Sequence, residues 1–359
     1  MEYPTLDRYI GCLVGGAVGD ALGAPVEFMG LADIRKRFGK TGIRDYVPAY
    51  GRMGAITDDT QMTLFTAEGL ILSHVRGGPD GADIPAFVYQ AYLRWLDTQN
   101  MVDRQRLIGR HGTCVVVDGV LSAHRELHSR RSPGNSCLTA LASGRMGTMD
   151  TPINDSKGCG GVMRIAPVGL FLSQEAAFDC ACRVAAITHG HPTGFLAAGC
   201  LSDVIHRIIN GTDLKEAILA SRETLAARAD SRECLDALDR AIAASHQNPA
   251  DFETVESLGR GWVAEEALGI AVYCALVCGR DFDSGVCLAV NHGGDSDSTG
   301  AIAGNILGAL LGAGAIPSRF TVDLELRDLI EEMATDLHRL KSNEDSESIK
   351  GGNPPCASG

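Results

Sequence analysis

The chain has 359 residues, 45% of them hydrophobic, and carries a net charge of −13 with 12 cysteines. That length and apolar content support one large domain or two small ones with a substantial core, and the acidic balance excludes the cationic footprint of a nucleic-acid binder. Twelve cysteines spread over this length without a C-x-x-C exclude a disulfide scaffold and fit buried, reduced thiols in a cytoplasmic protein.

Leu6 to Leu22 reads as the first helix, with Gly11, Gly15, Gly16 and Gly19 on a small-residue face. Gly19 to Phe28 then breaks into a Gly/Pro loop that carries Glu27, and Ile34 to Arg37 reads as a short basic turn. A Gly/Pro/Tyr loop leads to Thr57-Asp58-Asp59-Thr60, which opens a helical stretch from Met62 to Val75. Ile84 to Thr98 is an amphipathic helix, whereas Asn100 to Val117 is poorly patterned. A turn at Arg130 to Asn135 precedes a short helix, Ser136 to Ser143. Ser156 to Arg164 is a glycine-rich turn entering an apolar segment, Ile165 to Leu172. Ala176 to Thr188 and Thr193 to Ile209 are helical, flanking His189 and His191. Asp213 to His246 holds one or two surface helices, and Gly259 to Cys278 another, carrying Trp262, Glu265 and Glu266. Asp283 to Val290 leads to Gly293-Gly294-Asp295-Ser296-Asp297-Ser298-Thr299 and a Gly/Ala-rich helix to Leu311. Leu324 to Leu340 is a charged amphipathic helix, and 341–359 reads as a disordered tail. No alternating strand pattern and no internal repeat appears. No secretory leader or membrane-spanning run is read.

Aspartate and threonine at a helix start are ordinary capping residues, and capping is the plain alternative for each acidic cluster. Two such clusters, Asp58-Asp59 and Asp295/Asp297, both flanked by hydroxyls, instead match the oxygen ligands of a hard divalent cation. The glycines at 158, 160 and 161 permit backbone N–H groups to turn toward an anion, or simply form a tight turn before a buried segment. Arg164 is either an anion partner or a tie from that loop to a carboxylate. Trp262 reads first as core packing, with base stacking the lesser reading.

A GDALGxPxE stretch from Gly19, TDDT at 57–60, S-K-G-x-G-x-x-M-R at 156–164, a TH-x-H pair at 188–191 and GGDSDS at 293–298 follow one another in order. Together they resemble the ADP-ribosylglycohydrolase family, from about Leu6 to about Ala315. The resemblance implies an all-α, single compact orthogonal helical domain over 1–340 with a dimetal site in a central cleft. It implies two Mg²⁺ or Mn²⁺ ions on Thr57, Asp58, Asp59 and Asp297, with Asp295 bridging or supporting. Ser298 stands where many members have threonine, and its hydroxyl keeps the position a ligand. It further implies Glu27, Asp58 and Asp297 in catalysis, Glu27 as general acid/base or gate. Ser156, Lys157, Gly158, Cys159, Gly160, Gly161 and His189 are implied to bind the substrate's diphosphate or ribose; His292, just before the acidic cluster, reads on its own as a structural hydrogen-bond donor.

The expected activity is hydrolysis of the bond between ADP-ribose and an acceptor side chain, arginine first, on a mono-ADP-ribosylated protein, with ADP-ribose released. The alternatives are an immunity-type protein that occludes an ADP-ribosyltransferase toxin, a hydrolase of another ADP-ribose-linked small molecule, and a catalytically silent relative. Neither nucleic acid nor membrane is an expected partner.

Overall fold

The structure is a computed structural model that describes residues 5–77, 83–247 and 250–351, with 343–351 as backbone alone. Among the described residues the regular elements are all helical: eighteen α-helices and four short 3-10 turns. Only two isolated bridges, Ala49–Arg52 and Gly158–Val263, pair extended backbone. The all-α expectation holds.

The centre of the molecule is an antiparallel pair, the helix Leu6–Gly23 against the helix Ser296–Leu311. Both are buried over most of their length, because small and aliphatic side chains occupy nearly every face. Glycines recur every fourth residue on each contact stripe. A Cβ added at Gly11, Gly15 or Gly19 would lie 2.4, 2.5 or 1.9 Å from the carbonyl oxygens of Gly308, Gly304 and Gly300. Backbone therefore meets backbone, as a large side chain on either stripe would forbid. Asn305 is the polar pin of this contact, donating to the Cys12 carbonyl at 2.8 Å.

Around this pair lie the helices Asp58–Gly77, Ile84–Thr98, Pro192–Ile209 and Ala264–Cys278, each nearly continuous with the core on its inner face. Trp95 is fully buried, with its indole N–H donated to Gln61. The last helix, Arg327–Gly351, closes over the first. Helical backbone thus runs past residue 340, where a disordered tail was expected to begin, and 352–359 lies outside the described residues. All eleven described cysteines are free thiols. Among the described residues no helix is long and apolar enough to cross a membrane.

Three local expectations are corrected. The basic turn at Ile34 to Arg37 is the middle of an eight-residue helix, Leu31–Phe38, whose buried face is only Leu31 and Ile34. Two apolar residues are too few to show a period. Within 100–117 lie the helices Arg104–His111 and Cys114–Val117; the first is capped by Asp103, which accepts from the Arg106 amide at 3.0 Å. The helix expected from Gly259 begins at Ala264, because Gly259 and Gly261 both take positive φ. Trp262 is thereby left in a loop.

Candidate active site

The N-termini of Asp58–Gly77 and Ser296–Leu311 meet at one cavity of about 210 Å³. Asp58, Asp59, Asp295, Asp297 and Ser298 line it together with Glu27, so segments more than two hundred positions apart do converge. Gly158, Cys159, Gly160 and His189 form another part of the wall. Thr57, Ser156, Lys157 and Gly161 do not reach it.

Each missing residue is occupied elsewhere. Thr57 is fully buried; its hydroxyl accepts from the Asp59 amide at 3.3 Å and holds the Asp297 carboxylate. Ser156 bonds Ser136 and takes the Gly158 amide on its hydroxyl. Lys157, expected as a free cation for phosphate, is paired with Glu233 and, at 2.6 Å, with Glu265. Its carbonyl accepts from Ala264 N and the Cys159 amide donates to Trp262 O, so this loop is stitched to 262–264. Trp262 is not core: it is 41% exposed, lines the cavity, and stacks on Phe28 at 5.7 Å.

The sequence reading missed Asp20. This carboxylate sits in the first helix with no exposed surface and accepts from the amides of Thr57 and Thr60 and from the Thr60 hydroxyl. It caps the Asp58–Gly77 helix from another element and fixes where Asp58 and Asp59 point. A charge in the apolar, glycine-rich stretch that follows Arg8 in this helix was the available signal. Also missed was the turn from Ser132 to Cys137, which supplies part of the cavity wall. Arg131 braces that turn by pairing with buried Glu325 and donating to the Ile56 carbonyl at 2.8 Å.

Arg164 is not tied to a carboxylate among the described residues. Its guanidinium donates to Thr188 Oγ1 at 2.6 Å, contacts Cys137 and Met62 sulfurs and lies over the Tyr92 ring. The Thr188 hydroxyl accepts from the arginine and has one proton of its own, which it can donate to His189 Nδ1, 2.8 Å away. His189 then carries its proton on Nε2, the nitrogen beside Gly158 and Gly160. Burial, with Arg164 close by, lowers the His189 pKa to about 3. The ring is a neutral N–H donor at the glycine loop. His191 caps the helix Pro192–Ile209 by accepting from the Thr193 amide, and His292 bonds Thr299.

The acidic groups disturb one another. Burial first, then the charge of Asp297, raises Asp20 to about 7 and Glu27 to about 10. The same two causes hold Asp58, Asp59 and Asp295 well above the ordinary carboxylate range. Glu27 Oε2, Asp59 Oδ2 and Asp297 Oδ1 are buried without a hydrogen-bond partner. Buried, unpartnered carboxylate oxygens facing one cavity are costly unless a positive charge joins them.

These residues therefore fit a hard divalent cation by donor type and by their unmet charge. As they stand, no three His, Cys, Asp or Glu side chains among the described residues are arranged to hold an ion. Asp295 is turned toward its neighbours, accepting the Cys159 thiol at 2.7 Å, with the Asp297 carboxylate beside it raising its pKa.

Residues 1–347 match the family described as ADP-ribosylglycohydrolase. The chain belongs to the ADP-ribosylglycohydrolase family. Within it, the chain is 30% identical to an uncharacterized protein of Archaeoglobus fulgidus, over 93% of this chain and 97% of that one. It is 28% identical to the ADP-ribosyl-[dinitrogen reductase] glycohydrolase of Rhodospirillum rubrum, over 89% of this chain and 91% of that one. A solved structure, described as an ADP-ribosylglycohydrolase-related protein complex, superposes with a TM-score of 0.66 at 28% identity, covering 94% and 98% of the two chains. For an ADP-ribosylglycohydrolase the cavity is placed sensibly: carboxylates meet a glycine loop and a neutral imidazole donor. Hydrolysis of an ADP-ribose–acceptor bond is the chemistry of the class.

Proposed function

We propose that the chain removes ADP-ribose from the arginine side chain of a mono-ADP-ribosylated protein, using two Mg²⁺ or Mn²⁺ ions held by Asp58, Asp59, Asp295, Asp297 and Ser298, with Thr57 holding the Asp297 carboxylate from behind. The observation that carries this reading is the set of buried, unpartnered carboxylate oxygens in a cavity shared with the glycine loop. Arginine as acceptor is supported by likeness to the ADP-ribosylarginine hydrolase Tri1 of Pseudomonas putida, 25% identical over 93% of this chain and 78% of that one.

Divalent ions held by these residues would supply Lewis acidity toward sugar hydroxyls and a more acidic water. The protein's own groups do the rest. The Gly160 amide and the His189 ring, both on the cavity wall, are the groups that meet the diphosphate. Glu27, which burial and the neighbouring carboxylates keep protonated well above the ordinary carboxylate range when no metal is bound, is the carboxyl placed to supply a proton to the departing guanidine nitrogen and to take one back from water. Charge that builds on the ribose as the acceptor leaves is met by the carboxylates around Asp297. Incubation with ADP-ribosylarginine protein and Mg²⁺ or Mn²⁺ should release ADP-ribose, with little release from a serine-linked substrate. A metal-loaded protein that releases none from either linkage would sink the reading.

The same site predicts how stability follows pH. Asp20 and Glu27 keep protons in the fold at pH values where the unfolded chain, with carboxyl pKa values of about 4, has lost them. Their contribution is full below that value and is lost as pH rises through about 7 and about 10. Metal-free protein should melt lower at pH 8 than at pH 5.5. Between its unfolded and folded pKa each such carboxyl costs about 1.4 kcal/mol per pH unit, so Asp20 contributes to the loss only up to about pH 7. Mn²⁺ should recover more of the melting temperature at pH 8 than at pH 5.5. A metal-free melting temperature that climbs over this range would contradict the shifted carboxyls.

A further inference from the structure

A second depression, of about 410 Å³, adjoins the acidic cavity. Glu27 and Trp262 line both, whereas the glycine-loop residues line the first alone. Glu27 and Trp262 therefore mark the doorway between the part of the site that meets the diphosphate and a groove beyond it. At that doorway Phe28, 75% exposed, stacks on Trp262 at 5.7 Å with planes 21° apart. Exposed large aromatics in contact are not a stable surface ornament: each would be buried if packing alone decided. Trp262 is held in place by its carbonyl, which accepts from the Cys159 amide at 3.2 Å, and by the adjacent Gly158–Val263 bridge. The groove also contains Glu256, exposed and anchored by the Gly293 amide, and one cation, Arg260.

We infer that the Phe28–Trp262 stack is the acceptor subsite, a flat platform on which the guanidinium of the modified arginine lies while its bond to ribose sits beside Glu27. The inference rests on the reading of the chain as an ADP-ribosylarginine hydrolase and adds the groups that choose the acceptor. A guanidinium is planar, cationic and weakly hydrated, so it stacks on aromatic faces better than an ammonium or a hydroxyl does. Glu256 and Arg260 balance each other in the groove, so the platform offers a guanidinium its aromatic face without a net opposing charge. A protein substrate needs its acceptor to enter from outside, and this platform is the exposed end of the site.

Phe28→Ala is the informative change, because a ring three-quarters exposed is not holding the fold together. With ADP-ribosylarginine as substrate, KM should rise about tenfold with kcat within about twofold, and Phe28→Tyr should restore it. The affinity for free ADP-ribose, which has no acceptor, should stay within about twofold. An unchanged KM overturns the platform; an equal loss of ADP-ribose affinity overturns it too, by assigning the stack to the nucleotide. A binding measurement keeps the two readings apart. Trp95 is buried and Trp262 is the exposed tryptophan, so quenchable fluorescence reports on the platform directly. In the presence of ADP-ribose, N-acetylarginine amide should perturb that signal and N-acetylcitrulline amide, its neutral isostere, should not. If the wild-type protein cleaves no ADP-ribosylarginine, the hydrolase reading fails, and equal responses to the two amides overturn the platform on their own.

Discussion

Asp297→Asn should lower kcat/KM for ADP-ribosylarginine by about 10³-fold while raising the melting temperature of the metal-free protein by a few degrees. The two effects have one cause. Asp297 is the neighbour whose charge raises Asp20, Glu27, Asp58, Asp59 and Asp295. Its Oδ1 is buried without a partner, while the rest of the carboxylate is held by backbone amides and Thr57, so the cost of its charge falls on the acidic neighbours. Asparagine keeps the shape, removes the charge and adds an N–H pair that can donate to the adjacent carboxylates. The fold gains, because fewer acids compete for the same low-dielectric space. Activity falls, because that concentration of negative charge is what draws a divalent cation and meets positive charge on the ribose. Calorimetry in EDTA and a release assay on the same preparation read both arms. Retention of more than a tenth of the activity would remove Asp297 from the centre of the site. A lower melting temperature would show that the repulsion is already relieved by something else.

The acidic motifs were legible because their ligand type and hydroxyl neighbours are local features of the chain. That Asp58-Asp59 and Asp295, Asp297 and Ser298 share a cavity followed from the resemblance, and the packing of Leu6–Gly23 on Ser296–Leu311 gives its physical reason. The helix expected from Ile84 to Thr98 is found with the same ends, since a Pro after the first residue and a clear apolar stripe mark it. What escaped depended on partners far away in sequence. Lys157 reads as a free cation until Glu233 and Glu265 are brought against it. Trp262 reads as core, but two glycines with positive φ hold its loop at the surface. Arg164 reads as a loop tie, while its role passes through Thr188 to the tautomer of His189. Asp20 acts on a helix start 37 residues away, beyond the reach of any local capping pattern.

Gly19→Ala should destabilise the protein by about 2 kcal/mol and cut activity about 100-fold, although the residue touches no substrate. In an exposed helix the same change would stabilise by roughly 0.5–1 kcal/mol. Here the new Cβ would meet Gly300 O at 1.9 Å and Gly300 C at 2.2 Å, both backbone. Neither atom can rotate away, so the helices must part. Gly19 directly precedes Asp20, and Gly300 lies three residues after Asp297, so the parting separates the carboxylates that organise the cavity. A shift of order 1 Å in such a constellation is enough for the stated loss. Two further variants separate packing from positioning. Gly109 has open space around its Cβ within the helix Arg104–His111, and Gly109→Ala should be neutral or slightly stabilising. Gly11→Ala strikes the same helix pair at its far end, with Gly308 O at 2.4 Å, and should cost comparable stability with less effect on turnover. A Gly19 variant that melts and turns over like wild type would show that the helix contact yields freely. A Gly11 variant equally inactive would show that the glycine stripe holds the fold without setting the spacing of Asp20 and Asp297.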